Sequence, residues 1–232
     1  EMSASLVGSE MCIRDSIKVM DKIIDNQYFK CYYVVIIISI KLRGYIIMFK
    51  GKVVIVGASN VGSAVLTKLL DFQLASEIAL IDLNENKCKG EALDANDATS
   101  CIHSLNIRTY HGDYSDCKDA DLIIITAGPS IKPGEKADRL ILSKTNCKIM
   151  SSVMSEITKY TKDALILMIT NPLDVATYHV STQFDYPREK IIGTGTMLET
   201  FRLRRIIADR YHIDPKNIHG YVLGEHLSLI HI

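Results

Sequence analysis

KVVIVGASNVG, residues 52–62, decides the fold: five strand-forming residues, mostly β-branched, run straight into Gly57, and a second glycine follows at Gly62. An apolar run with no polar alternation belongs to a strand covered on both faces, and a glycine at its end lets the chain turn tightly into a helix. Working outward, Val61, Val65, Leu69 and Leu70 recur at helical spacing and mark a crossover helix, with Asp71, Gln73 and Glu77 off that stripe. Further short apolar runs read as strands at Glu77–Ile81, Asn106–Tyr110, Leu122–Thr126 and Leu165–Ile169. Strands alternating with helical stretches make βαβ units, and right-handed crossovers carry these into a doubly wound parallel α/β sheet. No internal repeat interrupts the pattern.

Gly57-Ala58-Ser59-Asn60-Val61-Gly62 stands where a GxGxxG turn brings a pyrophosphate onto a helix N-terminus, with Ser59 in place of the middle glycine. That side chain weakens the motif, because the backbone approaches phosphate most closely there. The second strand ends at Asp82, at the distance where an acidic residue accepts hydrogen bonds from an adenosine ribose. Together they indicate a Rossmann-type domain and NAD as cofactor. A 2′-phosphate would be repelled by Asp82, and Leu83, Asn84 and Glu85 supply no arginine to hold one. The purely structural reading is a tight turn at Gly57 and Gly62 and a loop beginning at Asp82. A P-loop NTPase is disfavoured, since no Gly-Lys-Ser/Thr ending is present.

Composition narrows the class. In 232 residues, 47% hydrophobic, there is material for one complete domain and part of another. The 27 basic residues are matched by 27 acidic ones, which removes the broad attraction expected of a nucleic-acid or anionic-membrane binder. Cys12, Cys31, Cys88, Cys101, Cys117 and Cys147 show no CxxC spacing, so neither a metal site nor a disulfide framework is signalled. Reduced thiols fit a cytoplasmic protein. The apolar run Cys31 to Ile40 is ten residues long, well short of the roughly 20 needed to cross a bilayer.

The chemistry-bearing segments follow in order. Thr126-Ala127-Gly128, then Lys132-Pro133-Gly134-Glu135 and Arg139, resembles the mobile active-site loop of the lactate/malate dehydrogenase family. Thr170-Asn171-Pro172-Leu173-Asp174 resembles its TNPxD segment. Gly193 to Arg204 is similar to its GTxLDxxRxR helix, and Val222-Leu223-Gly224-Glu225-His226 to the strand leading into its GEHGD segment. The resemblance spans Met48 to His226 and implies an NAD-dependent oxidoreductase that moves a hydride reversibly between a small 2-hydroxy acid and NAD, giving the 2-keto acid. It implies His226 as acid/base, Glu199 as its carboxylate partner and Arg139 as the group polarising the substrate carbonyl. Arg202 would clamp the substrate carboxylate, and Asn171 would orient substrate and nicotinamide. Gly57, Ser59, Asn60, Val61, Gly62, Asp82, Thr126, Ala127, Gly128 and Asn171 would line the cofactor.

Three departures qualify the match. Glu199 replaces aspartate and adds a methylene between helix and histidine. Two extra residues lie between Glu135 and Arg139. Ile131 stands where the family carries glutamine for lactate or arginine for malate. A dicarboxylate facing Ile131 would bury an unpaired charge, so malate is disfavoured while lactate and larger apolar 2-hydroxy acids stay open. The same letters have structural readings: Arg139 as a first-turn surface residue, Glu199 and Arg202 as an i,i+3 ion pair, Asn171 as N-cap with Pro172 opening the next helix. For Asn171 the structural and functional readings hold together.

Further expectations follow from the resemblance. Arg204 and His219 occupy places where bacterial members bind fructose 1,6-bisphosphate, and the parent protein is expected to be a homotetramer. Residues 1–47 read as a non-native extension ahead of Met48, 48–192 as the NAD-binding domain, and 193–232 as the truncated beginning of an α+β substrate domain. A chain ending just past His226 is expected to turn over little. The alternatives are an L-2-hydroxyisocaproate-type dehydrogenase, a malate dehydrogenase, or a NAD-binding module without turnover.

Overall fold

The computed structural model describes residues 51–100, 107–129, 139–224 and 226, with 139–141 described by their backbone alone. The expectations for residues 1–47, Met48, Ile131, the Arg139 side chain, Glu225, Cys12, Cys31 and Cys101 lie outside the described residues.

Six strands form one parallel sheet: β1 (Lys52–Val56), β2 (Glu77–Ile81), β3 (Arg108–His111), β4 (Leu122–Ile125), β5 (Leu165–Met168) and β6 (Ile191–Gly193), in the order β3-β2-β1-β4-β5-β6. Helices α1 (Asn60–Asp71), α2 (Glu85–Thr99), α3 (Arg139–Ile157) and α4 (Leu173–Gln183) make the crossovers, and α5 (Met197–Tyr211) follows β6. The doubly wound α/β sheet is therefore as expected. Its chain runs outward in both directions from β1 and β4, and a ligand crevice opens where the direction reverses. None of the described helices is long and apolar enough to cross a membrane.

Burial on both faces explains the apolar strands. Val54, Val56, Ile123, Ile125, Ile166 and Met168 join Met150, Val153, Met154 and Ile157 of α3 and Leu173, Ala176 and Val180 of α4 in one core. The alternate residues Val53, Ile55, Ile78 and Leu80 are also buried, and because strand side chains alternate they point to the opposite face.

Two details differ from the sequence expectation. The inward stripe of α1 is Gly62, Leu66, Leu69 and Leu70, whereas Val61 is 47% exposed. Close approach rather than hydrophobicity sets this rotation, since a Cβ on Gly62 would lie 1.9 Å from the Gly57 carbonyl oxygen. The second difference is β6, which has only three residues and no readable period. It pairs along β5 through Ile166–Ile191, Leu167–Ile192 and Met168–Gly193.

Register is what assembles the site. Val56 is paired with Ile81 and Ile125, Ile125 with Met168, and Met168 with Gly193. These strand ends form one row, so the segments beginning at Gly57, Asp82, Thr126, Ile169 and Thr194 leave the sheet along the same edge.

Candidate active site

The glycine loop is tied down before it meets any ligand. Gly57 donates its N–H to the Ile81 carbonyl at 2.7 Å, while Thr126 Oγ1 donates to the Gly57 carbonyl at 2.8 Å. Gly57 has φ +107°, and a Cβ there would meet Ala127 N at 2.7 Å, so both conformation and space require glycine. The first helical bond of α1 runs from Ser63 N to Ser59 O at 2.8 Å. The N–H groups of Asn60, Val61 and Gly62 precede it, have no acceptor within the helix, and carry the positive end of its dipole. This cradle fits a pyrophosphate. Ser59 is the N-cap in extended conformation, and its side chain makes no capping bond.

Asp82 is both a fastening and a candidate ligand group. Its Oδ2 accepts from Ala58 N at 2.7 Å and its Oδ1 from Asn84 N at 2.9 Å. Each carboxylate oxygen has a further lone pair available for a ribose hydroxyl. An open cavity of about 560 Å3 adjoins it, lined by Asp82, Leu83, Asn84, Glu85 and Asn86. No cation stands among those residues to meet a 2′-phosphate.

At the far side of the crevice, Thr170 Oγ1 donates to the Ala127 carbonyl at 2.8 Å, joining the TAG loop to the Asn171 segment. Buried Asn146 of α3 donates its amide to the Asn171 carbonyl. The Asn171 side chain is exposed on this edge, and its peptide bond to Pro172 is cis. The expectation that Asn171 caps the helix is corrected: Pro172 occupies the N-cap and α4 begins at Leu173. A proline N-cap has no side-chain acceptor, and Asn171 sits one residue too early to cap.

Helix α5 carries the third group. Glu199 is 8% exposed, and its Oε2 lies 3.1 Å from His226 Nδ1. Arg202 Nη1 stands 3.9 Å from Glu199 Oε1, with the Arg202 side chain 61% exposed. One carboxylate thus faces both the histidine and the arginine, so the i,i+3 ion pair and the Glu199–His226 contact coexist. Burial works to raise the Glu199 pKa. Its own backbone, the His226 ring and the Arg202 charge outweigh burial and hold the carboxyl below its ordinary value. An ionised Glu199 favours the tautomer with the proton on Nδ1, which leaves a lone pair on Nε2.

The sequence suggests a strand leading to His226. Among the described residues, 218–224 instead form an irregular segment held by α5 side chains. Thr196 Oγ1 donates to the Val222 carbonyl at 2.5 Å, Val222 N donates to Thr200 Oγ1 at 3.0 Å, and Arg204 Nε donates to the Gly220 carbonyl at 3.0 Å. The Arg204 guanidinium also lies 4.9 Å from the Tyr221 ring centroid, while His219 is exposed. The anchoring roles of Thr196, Thr200 and Asn146 are absent from the sequence reading. Only their places inside or beside the quoted motifs could have signalled them.

Comparison with known proteins gives a consistent result. Residues 51–193 match the family model for the lactate/malate dehydrogenase NAD-binding domain. The chain is 71% identical over 175 residues to an L-lactate dehydrogenase of Selenomonas ruminantium, covering 75% of this chain and 55% of that protein. Identity to L-lactate dehydrogenase 2 of Clostridium acetobutylicum is 57% over 177 residues, covering 76% and 55%. The chain thus spans a little over half the length of these curated relatives. Among solved structures, the ligand-bound minor L-lactate dehydrogenase of Enterococcus mundtii superposes with a TM-score of 0.71 at 39% identity, covering 77% of this chain and 56% of that one. The lactate dehydrogenase of Eimeria maxima with NADH and oxamate gives 0.70 at 35% identity, covering 76% and 53%.

Proposed function

The chain belongs to the lactate/malate dehydrogenase family, and on that premise we propose that the protein is an NAD-dependent L-lactate dehydrogenase, interconverting L-lactate with NAD and pyruvate with NADH. The observation that carries this reading is the Glu199–His226 contact of 3.1 Å, with Arg202 beside it, at the edge where the glycine loop and Asn171 also emerge.

When bound, NAD would supply the two-electron acceptor for the hydride that leaves C2 of the hydroxy acid. The α1 N-terminus and the Gly57–Gly62 turn would hold its pyrophosphate, and Asp82 would hold its ribose. Arg202 makes two parallel charge-assisted bonds to the substrate carboxylate. His226 accepts the hydroxyl proton at Nε2 as the carbonyl forms and returns it in the reverse direction. Glu199 stabilises the imidazolium that results. Asn171 orients the reacting groups from the adjoining strand end. The parts assigned to Ile131 and Arg139 rest on the sequence resemblance alone.

The test is NADH oxidation by a version extended to the full length of its relatives, offered pyruvate, oxaloacetate and 2-ketoisocaproate. The expected order by kcat/KM puts pyruvate first. A preference for the branched acid would make it a broader 2-hydroxy-acid dehydrogenase, and absence of turnover with all three would remove the reading. The proposal extends to a fructose 1,6-bisphosphate effector at Arg204 and His219, supported by the Arg204 bond to Gly220, the neighbour of His219. A pyruvate saturation curve unchanged by the bisphosphate would dismiss that part.

A further inference from the structure

His226 is held at two points by two helices. Glu199 of α5 fixes its ring. Asp174 of α4 fixes its main chain, because His226 N donates to Asp174 Oδ2 at 2.7 Å across 52 residues of sequence. A carboxylate accepting a backbone N–H makes a charge-assisted bond, shorter and stronger than a neutral one. This contact is partly buried.

Asp174 also stands three positions after Asn171, in the first turn of α4. The segment between them is braced by Thr170 on the Ala127 carbonyl and by Asn146 on the Asn171 carbonyl. Residues 170–174 thus form one hydrogen-bonded segment that carries Asn171 near one end and holds the His226 main chain at the other. The segment preceding His226 has no strand pairing of its own among the described residues. Its other described fastenings, from Thr196, Thr200 and Arg204, reach no further along the chain than Val222.

From this juxtaposition we infer that Asp174 is a positioning residue for the dehydrogenase reaction, setting the height of the His226 backbone so that Nε2 and Asn171 face the same reacting carbon. The inference rests on the proposed function for its kinetic consequence and on the 2.7 Å bond for its structural one. The ordinary alternative is that Asp174 does no more than stabilise the N-terminus of α4 through the helix dipole. Under that alternative its replacement lowers stability and leaves the histidine where it was.

The experiment compares D174N, which keeps a neutral oxygen acceptor, with D174A, which keeps none. In the 15N-labelled chain itself, the His226 amide is expected to exchange at least about tenfold faster in D174A than in wild type, the equivalent of one lost hydrogen bond. The imidazole 15N shifts should move from one dominant tautomer toward an averaged pair, and D174N should fall between. NADH binding, measured by fluorescence, reports that each variant is folded and should be unchanged. In the extended protein, D174A should lower kcat for pyruvate by about tenfold to a hundredfold, the sensitivity expected of a misplaced proton acceptor, with the KM for NADH unaltered and D174N restoring most of the loss. Unchanged His226 exchange and tautomer in folded D174A overturns the inference. If D174A does not fold, the same two spectra in D174N decide, and wild-type values there overturn it. A wild-type protein without turnover, but with the amide protected and released as described, refutes the function and leaves the anchor standing.

Discussion

At the scale of single residues, two of the side chains that depart from the expected pattern, Glu199 and Ser59, lie among the described residues and shape the candidate site. Glu199 is long enough to place Oε2 3.1 Å from His226 while Oε1 remains near Arg202. E199Q keeps the size and removes the charge, so the imidazolium loses its counter-charge and the ring its preference for Nδ1–H. The expected result in the extended protein is a fall in kcat of about a hundredfold or more, within the range of a general acid–base contribution, with NADH affinity unchanged. Activity close to wild type would mean that Glu199 only braces α5. Ser59 departs from the glycine-loop pattern. Its hydroxyl makes no capping bond, so S59G should cost less than about 0.5 kcal/mol of stability, as expected for glycine at an N-cap. Removing the side chain also lets the backbone approach the phosphates, and a fluorescence titration should show tighter NADH binding. A weaker Kd in S59G would show that the hydroxyl itself serves as a ligand.

At the scale of elements, the end of the sheet opposite the site is held by charge. Lys52 of β1 reaches Asp116 at 2.8 Å, Asp119 at 3.0 Å and Glu77 of β2 at 3.8 Å, and the Tyr110 hydroxyl of β3 sits 2.6 Å from Glu77 and 2.7 Å from Asp116. Burial acts to lower the Lys52 pKa, but the bonds to Asp116, Asp119 and Tyr110 raise it well above the ordinary lysine value. Burial likewise acts to raise the Asp116 pKa, and Lys52 and Tyr110 reverse it, so that carboxyl is held below its usual value. A depressed carboxyl contributes stability above its unfolded pKa of about 4 and loses it as pH falls through the folded value. K52M should therefore cost about 2 kcal/mol near neutrality, the range for hydrogen bonds to charged groups, and should flatten the loss of stability below about pH 4. Urea titrations at pH 7, 4 and 3 would measure both, and a parallel acid limb in K52M would exclude this network as its source. How much of this was legible in the sequence depends on range. β1, β2, β4 and β5 were readable because doubly covered strands leave uninterrupted apolar runs, whereas β6 was not, since Ile191–Gly193 is too short for any period. The rotation of α1 is not legible in the sequence, because hydrophobicity ranks Val61 above Gly62, while the close approach is that of a missing Cβ to the Gly57 carbonyl. His226 with Glu199 was legible through its motif. The Asp174 bond was not, because a hydrogen bond spanning 52 residues leaves no pattern in composition or spacing.

At the scale of the whole molecule, two helical layers share one sheet, and two buried thiols report on them separately. Cys88 lies on α2, and Cys117 belongs to the core formed with α3 and α4; both are wholly buried. Opposite directions of winding from β1 and β4 place those helix pairs on opposite faces. Burial pushes the Cys88 thiol up to about 11 and the Cys117 thiol up to about 12, so at pH 8 neither presents much thiolate and alkylation requires an opening of the structure. The central strands tie the layers together, since Val56 is paired with both Ile81 and Ile125. Exposing either face of β1 or β4 removes cover from residues whose neighbours point to the other face, which argues for a single cooperative transition. Pulse alkylation in rising urea, mapped by mass spectrometry at the two cysteines, should therefore give one shared midpoint. If Cys88 is labelled at distinctly lower urea than Cys117, the α1–α2 layer that holds the proposed cofactor cradle opens independently. Cofactor should then shift the Cys88 midpoint without moving that of Cys117, because a ligand stabilises only the unit whose unfolding releases it.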